Sequence, residues 1–304
     1  MKNKELLDIF LERVKKIDSI LLEEILKPKS EFGFRVNLLR GDIKSTIDLL
    51  KKEGFNPKRV EFLENGYTLP IEDRKKIIKS TPYTQNLIYI QSLSSIYAAE
   101  ALDVRSSDWV LDLAAAPGGK SLIFSEKAKK VSAVEPDKKR FFRMKRNFKE
   151  HMAKNIQTYN KDGRFIYKSC PAWFDKVFLD APCSSEAHID LKEGITWWNL
   201  KRVKRFSKLQ KELIISAFES LKSGGEMIYA TCTYSPEENE EVVDFLLKKY
   251  ENATLEELSK PNRFFKDGLL EWEDKSFDHR VSKSLRIYPN GGFDGFFMAK
   301  IKKL

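Results

Sequence analysis

The sequence predicts an α/β protein: a doubly wound, mainly parallel sheet with helices on both faces, preceded by a small α+β lobe. Three observations carry this. The stretch WVLDLAAAPGGKS at 109–121 is an apolar run ending at Asp112, a turn of small residues through Pro117, Gly118 and Gly119, and then helical apolar spacing from Lys120. From there strand and helix patterns alternate regularly to about residue 250, as in a parallel sheet covered on both sides. The chain closes with SLRIYP and FFMAKIK joined by the turn NGGFDG, a hairpin that makes the last strand antiparallel.

Taken in order, residues 4–26 repeat apolar positions at helical spacing (Leu7, Phe10, Leu11, Val14, Ile17, Leu21) and predict one or two amphipathic helices. FGFRVNLL, IKSTIDLLKKEG and RVEFLENGYTL read as strand, helix and strand, completing a lobe over 1–80 with a basic surface suited to RNA. The charged linker EDRKKIIKS places a boundary near residue 80, so that 81–304 form the main domain. Tyr83, Tyr89 and Gln91 precede a helix leading into the first main strand, 109–115. Then come a helix from about 119, a strand over 131–135, a helix over 138–150, and the short strand IQTYN before Asp162. FDKVFLDAP is a strand running into a turn, and a long helix spans Asn199 to about Leu221. The turn SGG, the strand EMIYATC and a helix from Pro236 to about Tyr250 complete the alternation.

The 304-residue chain carries 55 basic against 45 acidic residues, a net charge of +10 that points to a polyanionic partner. No apolar run approaches the length of a membrane span, and MKNKELLDIF breaks its apolar residues with charges, so a cytoplasmic protein acting as a monomer is expected. Cys170, Cys183 and Cys232 are too few and too scattered for a disulfide framework or a zinc site, and no metal is expected.

The turn after Asp112 lets backbone amides approach a ligand, and the new helix presents its positive end to a carboxylate or phosphate. A P-loop would need glycine at position 114, where alanine stands, and a dinucleotide fingerprint would need GxGxxG, which the turn lacks. What remains is a turn seen in S-adenosylmethionine enzymes. Glu135, closing the strand VSAVEP, is placed to accept both ribose hydroxyls of a nucleoside.

Ligands of a doubly wound sheet bind beyond the carboxyl ends of its strands. Cys183 in LDAPCSSE and Cys232 in YATCTYSPEENEE both fall just after a strand, and if those strands are neighbours both thiols lie at the cofactor edge. Two thiols beside a methyl donor suggest methylation of cytosine at carbon 5, a poor nucleophile until a thiolate adds to carbon 6. One cysteine suffices for attack and a second helps resolve the adduct. Asp180 is placed to hydrogen-bond the amino and ring-nitrogen edge of a cytosine, and Lys120 to neutralise developing charge or hold the nucleophile.

These residues resemble the Nol/Nop/Sun family of S-adenosylmethionine-dependent RNA cytosine-5 methyltransferases, over roughly residues 80–304 and with a similar accessory lobe. The resemblance rests on DLAAAPGGK at 112–120, Glu135, DGR at 162–164, DAPC at 180–183, ATCT with PEENE at 230–240, and FDGFFMAK at 293–300. It implies a class I methyltransferase fold, Rossmann-like, with a mainly parallel seven-stranded sheet. It also implies S-adenosylmethionine as cofactor, a transfer or ribosomal RNA as partner, Cys232 as nucleophile and Cys183 as the residue assisting product release. Asp180 would contact cofactor and base. Residues 114–120 (Ala114, Ala115, Ala116, Pro117, Gly118, Gly119, Lys120) would surround the methionine end, Glu135 the ribose and Asp162 the adenine. The chain departs from the family pattern where Ser184, Ser185, Glu186 and Ala187 replace the glycines common after the DAPC cysteine, and where Thr233 replaces serine.

RNA contact would be served by the helix NLKRVKRFSKLQKELIISAFESL, with an apolar stripe at Val203, Phe206, Leu213, Ala217 and Leu221 and with Lys201, Arg202, Lys204, Arg205 and Lys208 opposite. Trp197 and Trp198 precede it. The thiol reaches its base only once that base has left its stack. Two rival readings are a DNA cytosine methyltransferase, which normally carries an ENV-type motif absent here, and an RNA-binding ribosome-assembly factor with weak catalysis.

Overall fold

The structure, a computed structural model, describes residues 2–189, Leu191 and residues 195–304. Its small sheet is built from β1 (Glu31–Val36), β2 (Lys58–Arg59), β3 (Tyr67–Pro70) and β4 (Ile88–Ile90) in the order β2-β3-β1-β4. Phe32, Phe34, Tyr67, Leu69 and Ile88 of this sheet bury against Leu50 of the helix Ile43–Lys52. That helix starts at Asp42, whose side chain accepts the Ser45 amide and hydroxyl at 2.9 and 2.5 Å.

The lobe differs from the sequence reading in three ways. Its fourth strand, β4, pairs with β1 through Phe34, Arg35 and Val36, so the sheet continues past the boundary expected near residue 80. RVEFLENGYTL is two short strands around a turn, because the Asn65 side chain bonds both the amide and the carbonyl of Val36 (3.1 and 2.6 Å) and folds the chain back. The amphipathic helices Lys2–Ile17 and Ser19–Leu26 lie on the main domain instead of the lobe. Phe10, Val14 and Leu21 pack against Ile195, Trp198, Val203, Tyr234 and Tyr288 there. Arg13 pins the contact on Glu237 at 2.7 Å, and the Tyr288 hydroxyl donates to Asp18 at 2.9 Å.

The main sheet follows the predicted alternation: β5 (Trp109–Asp112), β6 (Lys130–Val134), β7 (Ile156–Tyr159), β8 (Phe174–Asp180), β9 (Leu221–Thr231), β10 (Ala253–Glu256) and β11 (Phe265–Asp267). A two-stranded ribbon, β12 (Glu271–Trp272) with β13 (Lys275–Ser276), leads to the closing hairpin of β14 (Leu285–Ile287) and β15 (Phe296–Lys303). Strands β5 to β9 run parallel to one another, and β15 lies antiparallel between β9 and β14. The seven expected strands stand in the order β7-β6-β5-β8-β9-β15-β14. Edge strand β11 and β10, paired to β15, enlarge the sheet to nine. Neither addition was read from the sequence.

Strand order reverses at β5, flanked by β6 and β8, and this switch point sets the ligand crevice at the carboxyl ends of those strands. Leu111, Val177 and Tyr229 face one core with Leu213 and Phe218 of the helix Leu200–Ser220. Val110, Phe178 and Ile228 face the other, with Ile96 and Phe124. The expected turn SGG lies inside β9, where the register against β8 slips and Gly224 adopts φ +79°. The helix expected from Pro236 begins at Glu240, since Asn239 is tied to Thr231 Oγ1 (2.5 Å) and the Thr233 carbonyl (3.0 Å). Among the described residues no helix is long and apolar enough to cross a membrane.

Candidate active site

Beyond β5 the chain turns through Ala114–Pro117 into the helix Gly119–Lys127. Gly118 sits at φ +105°, the left-handed region that disfavours a side chain, and a Cβ there would lie 2.5 Å from the Phe148 ring. The turn is held from both sides of the switch point: Leu113 N–H donates to Phe178 O and Ala115 N–H to Val134 O, each at 2.9 Å. Asp112 is buried beneath it and accepts the Ser121 hydroxyl at 2.6 Å. Burial pushes its carboxyl up to about 7, against the pull of Ser121 and Lys120.

Two adjoining cavities open on this turn. The larger, about 640 Å³, is lined by Ala114, Ala116, Glu135, Asp162, Asp180, Cys183 and Cys232, with Leu113, Phe206, Leu209 and Leu213 supplying apolar wall. The smaller, about 230 Å³, is lined by Ala114–Pro117, Gly119, Lys120 and Asp180, with Tyr89, Gln91 and Ser95 opposite. Each predicted site residue thus borders one cavity or both except Gly118, whose part is to aim the turn.

Glu135 is almost wholly buried at the end of β6. One oxygen accepts the Asp137 amide at 2.9 Å, and the other lies 3.5 Å from Arg140, which also donates to Ala116 O. Asp162 is more exposed and is gripped by Arg164 through backbone and side chain. That contact, opposed by burial, holds its carboxyl below the usual range.

On the other side of the switch point, Lys120 Nζ meets Asp180 Oδ2 at 2.6 Å. Burial opposes the lysine charge, but Asp180 outweighs it and keeps Lys120 protonated. The expectation that Cys183 and Cys232 meet rests on β8 and β9 being neighbours, and they are; the two Sγ atoms are 3.3 Å apart. The shared hydrogen bond divides them. Accepting it lowers Cys232 to about 6, with His188 adding to the effect and burial opposing it, while donating it and being buried raise Cys183 well above an ordinary thiol. The balance of these effects favours the negative charge on Cys232. Cys170 lies apart, packed at the edge of the core.

The residues after Cys183, which depart from the family pattern, form a rigid corner. Glu186 is buried and its carboxylate accepts five hydrogen bonds: Trp198 Nε1, Thr233 Oγ1 and Ser235 Oγ at 2.6 Å, and the Tyr234 and Ser235 amides at 2.8 Å. The Ser184 hydroxyl meets Thr233 Oγ1 at 2.8 Å, and Ala187 N–H donates to Cys232 O at 3.1 Å. The segments carrying the two thiols are thereby bolted together. Trp198 belongs to this bolt and to the core, packed edge-on against Phe10, so it is withdrawn from the RNA surface expected of it. Trp197 remains exposed, with the Arg202 guanidinium over its ring and over Phe206. Lys201, Lys204, Arg205 and Lys208 are exposed as the helical spacing implied.

Several site residues carried no local signal. Phe206 was read only as part of an apolar stripe and lines the larger cavity. Tyr89 and Gln91 were noted without a role, and β4 brings them over the smaller one. Glu186 and His188 act through contacts some fifty residues away that no spacing rule reveals.

Known proteins resemble this chain over most of its length. Residues 99–302 match the family described as 16S rRNA methyltransferase RsmB/F. The chain is 33% identical, over 97% of its length and 99% of the relative's, to a tRNA (cytosine(49)-C(5))-methyltransferase of Pyrococcus abyssi. It is 33% identical to the ribosomal RNA small subunit methyltransferase F of Shewanella piezotolerans, over 90% of this chain but 57% of that protein. Among solved structures, a methyltransferase homolog protein from Pyrococcus horikoshii superposes with TM-score 0.78 at 29% identity, over 93% of this chain and 90% of that one. NSun6 from the same organism shares the fold, with TM-score 0.80 at 23% identity over 99% and 98% of the two chains. The chain belongs to the RsmB/F family of S-adenosylmethionine-dependent RNA methyltransferases, the Nol/Nop/Sun group that its motifs resemble.

Proposed function

We propose that this enzyme methylates carbon 5 of a cytosine in transfer RNA through a covalent adduct on Cys232. The observation that carries the reading is the thiol pair at the cofactor edge, 3.3 Å apart, with the anion favoured on Cys232. The choice of transfer RNA rests on the relative matched over 99% of its length, whereas the chain spans 57% of the ribosomal RNA enzyme.

The residues present fit S-adenosylmethionine. Leu113, Phe206, Leu209 and Leu213 offer an apolar slot that would take the adenine with Asp162 at its edge, Glu135 would hold the ribose, and Ala114–Pro117, Gly119 and Lys120 with Tyr89 and Gln91 surround the smaller cavity, which would take the amino-acid end. When bound, the cofactor supplies an electrophilic methyl group.

The chain's own residues do the rest. Cys232 sulfur adds to carbon 6 of the cytosine, which moves the ring's double-bond pair to carbon 5 and makes that carbon nucleophilic. Asp180, fixed by Lys120, accepts a hydrogen bond from the amino group of the cytosine. After methylation the carbon 5 proton passes to solvent water, the double bond re-forms and the carbon–sulfur bond breaks, returning its pair to Cys232 as a thiolate. Cys183, whose raised pKa keeps it a thiol, stands 3.3 Å from the departing sulfur and donates a hydrogen bond that stabilises the leaving thiolate.

Bisulfite sequencing tests the reading. Unmodified transfer and 16S ribosomal RNA transcripts are incubated with enzyme and S-adenosylmethionine. One newly protected cytosine in a transfer RNA is expected; protection only in the ribosomal transcript would refute the substrate assignment. No protection in either, with the cofactor shown to bind, would favour an RNA-binding assembly factor.

A further inference from the structure

The Cys232 thiolate needs a cation, and the lysine at the site does not supply one freely. Lys120 faces the nucleophile, but its ammonium is bonded to Asp180 at 2.6 Å, and Asp180 itself opposes a second negative charge on Cys232. Lys29, another cation near His188, is paired with Asp294. Glu238, from the segment beneath, accepts the Ser184 amide and, held protonated by burial, brings no positive charge to the thiols. The Cys183 thiol donates a hydrogen bond to the sulfur but carries no positive charge. Among the described residues, the group beside the sulfur that can become a free cation is His188.

His188 closes the short 3-10 turn Glu186–His188, and that turn is docked on the nucleophile's own backbone. Ala187 N–H reaches the Cys232 carbonyl at 3.1 Å, His188 N–H bonds the Ser185 carbonyl at 3.0 Å, and the five bonds to Glu186 lock the turn against residues 233–235. This frame sets His188 beside Cys232, one residue from the amide that bonds the Cys232 carbonyl, with its outer face exposed to solvent. Interaction with Cys232 raises the imidazole's pKa against burial, and Asp294 assists while Lys29 opposes.

We propose that His188 is the positioning residue of the nucleophile: its imidazole takes the Cys232 thiol proton and holds the thiolate as an ion pair until the sulfur adds to the base. The S–H bond breaks, the N–H bond forms, and the electron pair stays on sulfur for the carbon–sulfur bond. When that bond later breaks, the imidazolium stabilises the returning thiolate. The inference deepens the covalent mechanism proposed above and rests on it for its purpose, but the ion pair itself is a property of the protein without RNA.

The test is the pH dependence of iodoacetamide alkylation of Cys232 in the full-length protein, read from the mass of the Cys232 peptide. The wild type is expected to titrate near pH 6. In His188→Gln, which keeps a hydrogen-bond donor but no charge, the midpoint should rise by at least about one pH unit, an alkylation rate about tenfold lower on the acid limb. His188→Lys should restore a low midpoint. A His188→Gln midpoint equal to wild type overturns the proposal, and so does an equal upward shift in both variants, which marks a packing effect. Because no RNA is present, these outcomes are independent of whether the bisulfite experiment finds a methylated cytosine.

Discussion

Removing the Glu186 carboxylate should damage the protein more than any other single change in the DAPC loop. Three of its five partners are N–H groups that cannot turn elsewhere: the Trp198 indole and the Tyr234 and Ser235 amides, all buried. The hydroxyls of Thr233 and Ser235 can rotate, and Thr233 retains Ser184 as a neighbour. At about 1–3 kcal/mol for each orphaned buried donor, reduced where water enters the vacated space, Glu186→Ala should lose about 3–5 kcal/mol. Glu186→Gln preserves shape. Its carbonyl oxygen can replace the oxygen serving Thr233, Tyr234 and Ser235, which sets the amide against the Trp198 N–H alone, so the loss should be about 1–3 kcal/mol. Urea unfolding followed by tryptophan fluorescence, analysed by linear extrapolation, measures both. A loss below about 1 kcal/mol for Glu186→Ala would refute the claim that this carboxylate joins the two thiol segments.

Three further outcomes follow. Glu238 is raised to about 8 by burial and by Glu186, so the folded state binds its proton more tightly than the unfolded chain does. Its contribution to stability is full below about pH 4.5 and is lost as pH rises through 8; Glu238→Gln should flatten that part of the stability–pH curve, and an unchanged slope would contradict the assignment. Gly118→Ala forces a side chain into the left-handed region and against Phe148, which should lower stability by more than about 1 kcal/mol and weaken S-adenosylmethionine in calorimetry; wild-type affinity would show that the turn does not shape the site. Glu135→Ala should weaken the same cofactor by about 2 kcal/mol, roughly thirtyfold in Kd, through loss of the ribose acceptor, and equal Kd values would move the ribose elsewhere.

What was legible in the sequence is what local chemistry encodes. The period of apolar residues located the five parallel strands and the long helices. The small residues around Gly118 marked the turn after β5, and two cysteines at strand ends converged because neighbouring strands finish on one edge. The seven-stranded class I sheet was expected from the family resemblance, and its strand order comes from the structure. Less legible was whatever depends on partners distant in sequence. The stripe on the first helices announces that they bury something, but not that their partner is Trp198 in place of the lobe's sheet. β10 and β11 are four and three residues long and owe their existence to β15 and β14, not to their own propensity. Glu186 reads as a departure from a glycine-rich pattern and is in the structure the acceptor for five donors. His188 drew no reading from the sequence. Only the fold places it beside Cys232.

The covalent step is the centre of the account, and a denaturing gel tests it most directly. Cys183→Ala protein is mixed with unmodified transfer RNA and S-adenosylmethionine, beside a Cys183→Ala, Cys232→Ala control. Without the Cys183 hydrogen-bond donor the adduct should accumulate as a slower band containing protein and RNA, and the band should vanish when Cys232 is also removed. Normal turnover by Cys183→Ala with no such band, or a band that persists without Cys232, would contradict the two-thiol mechanism.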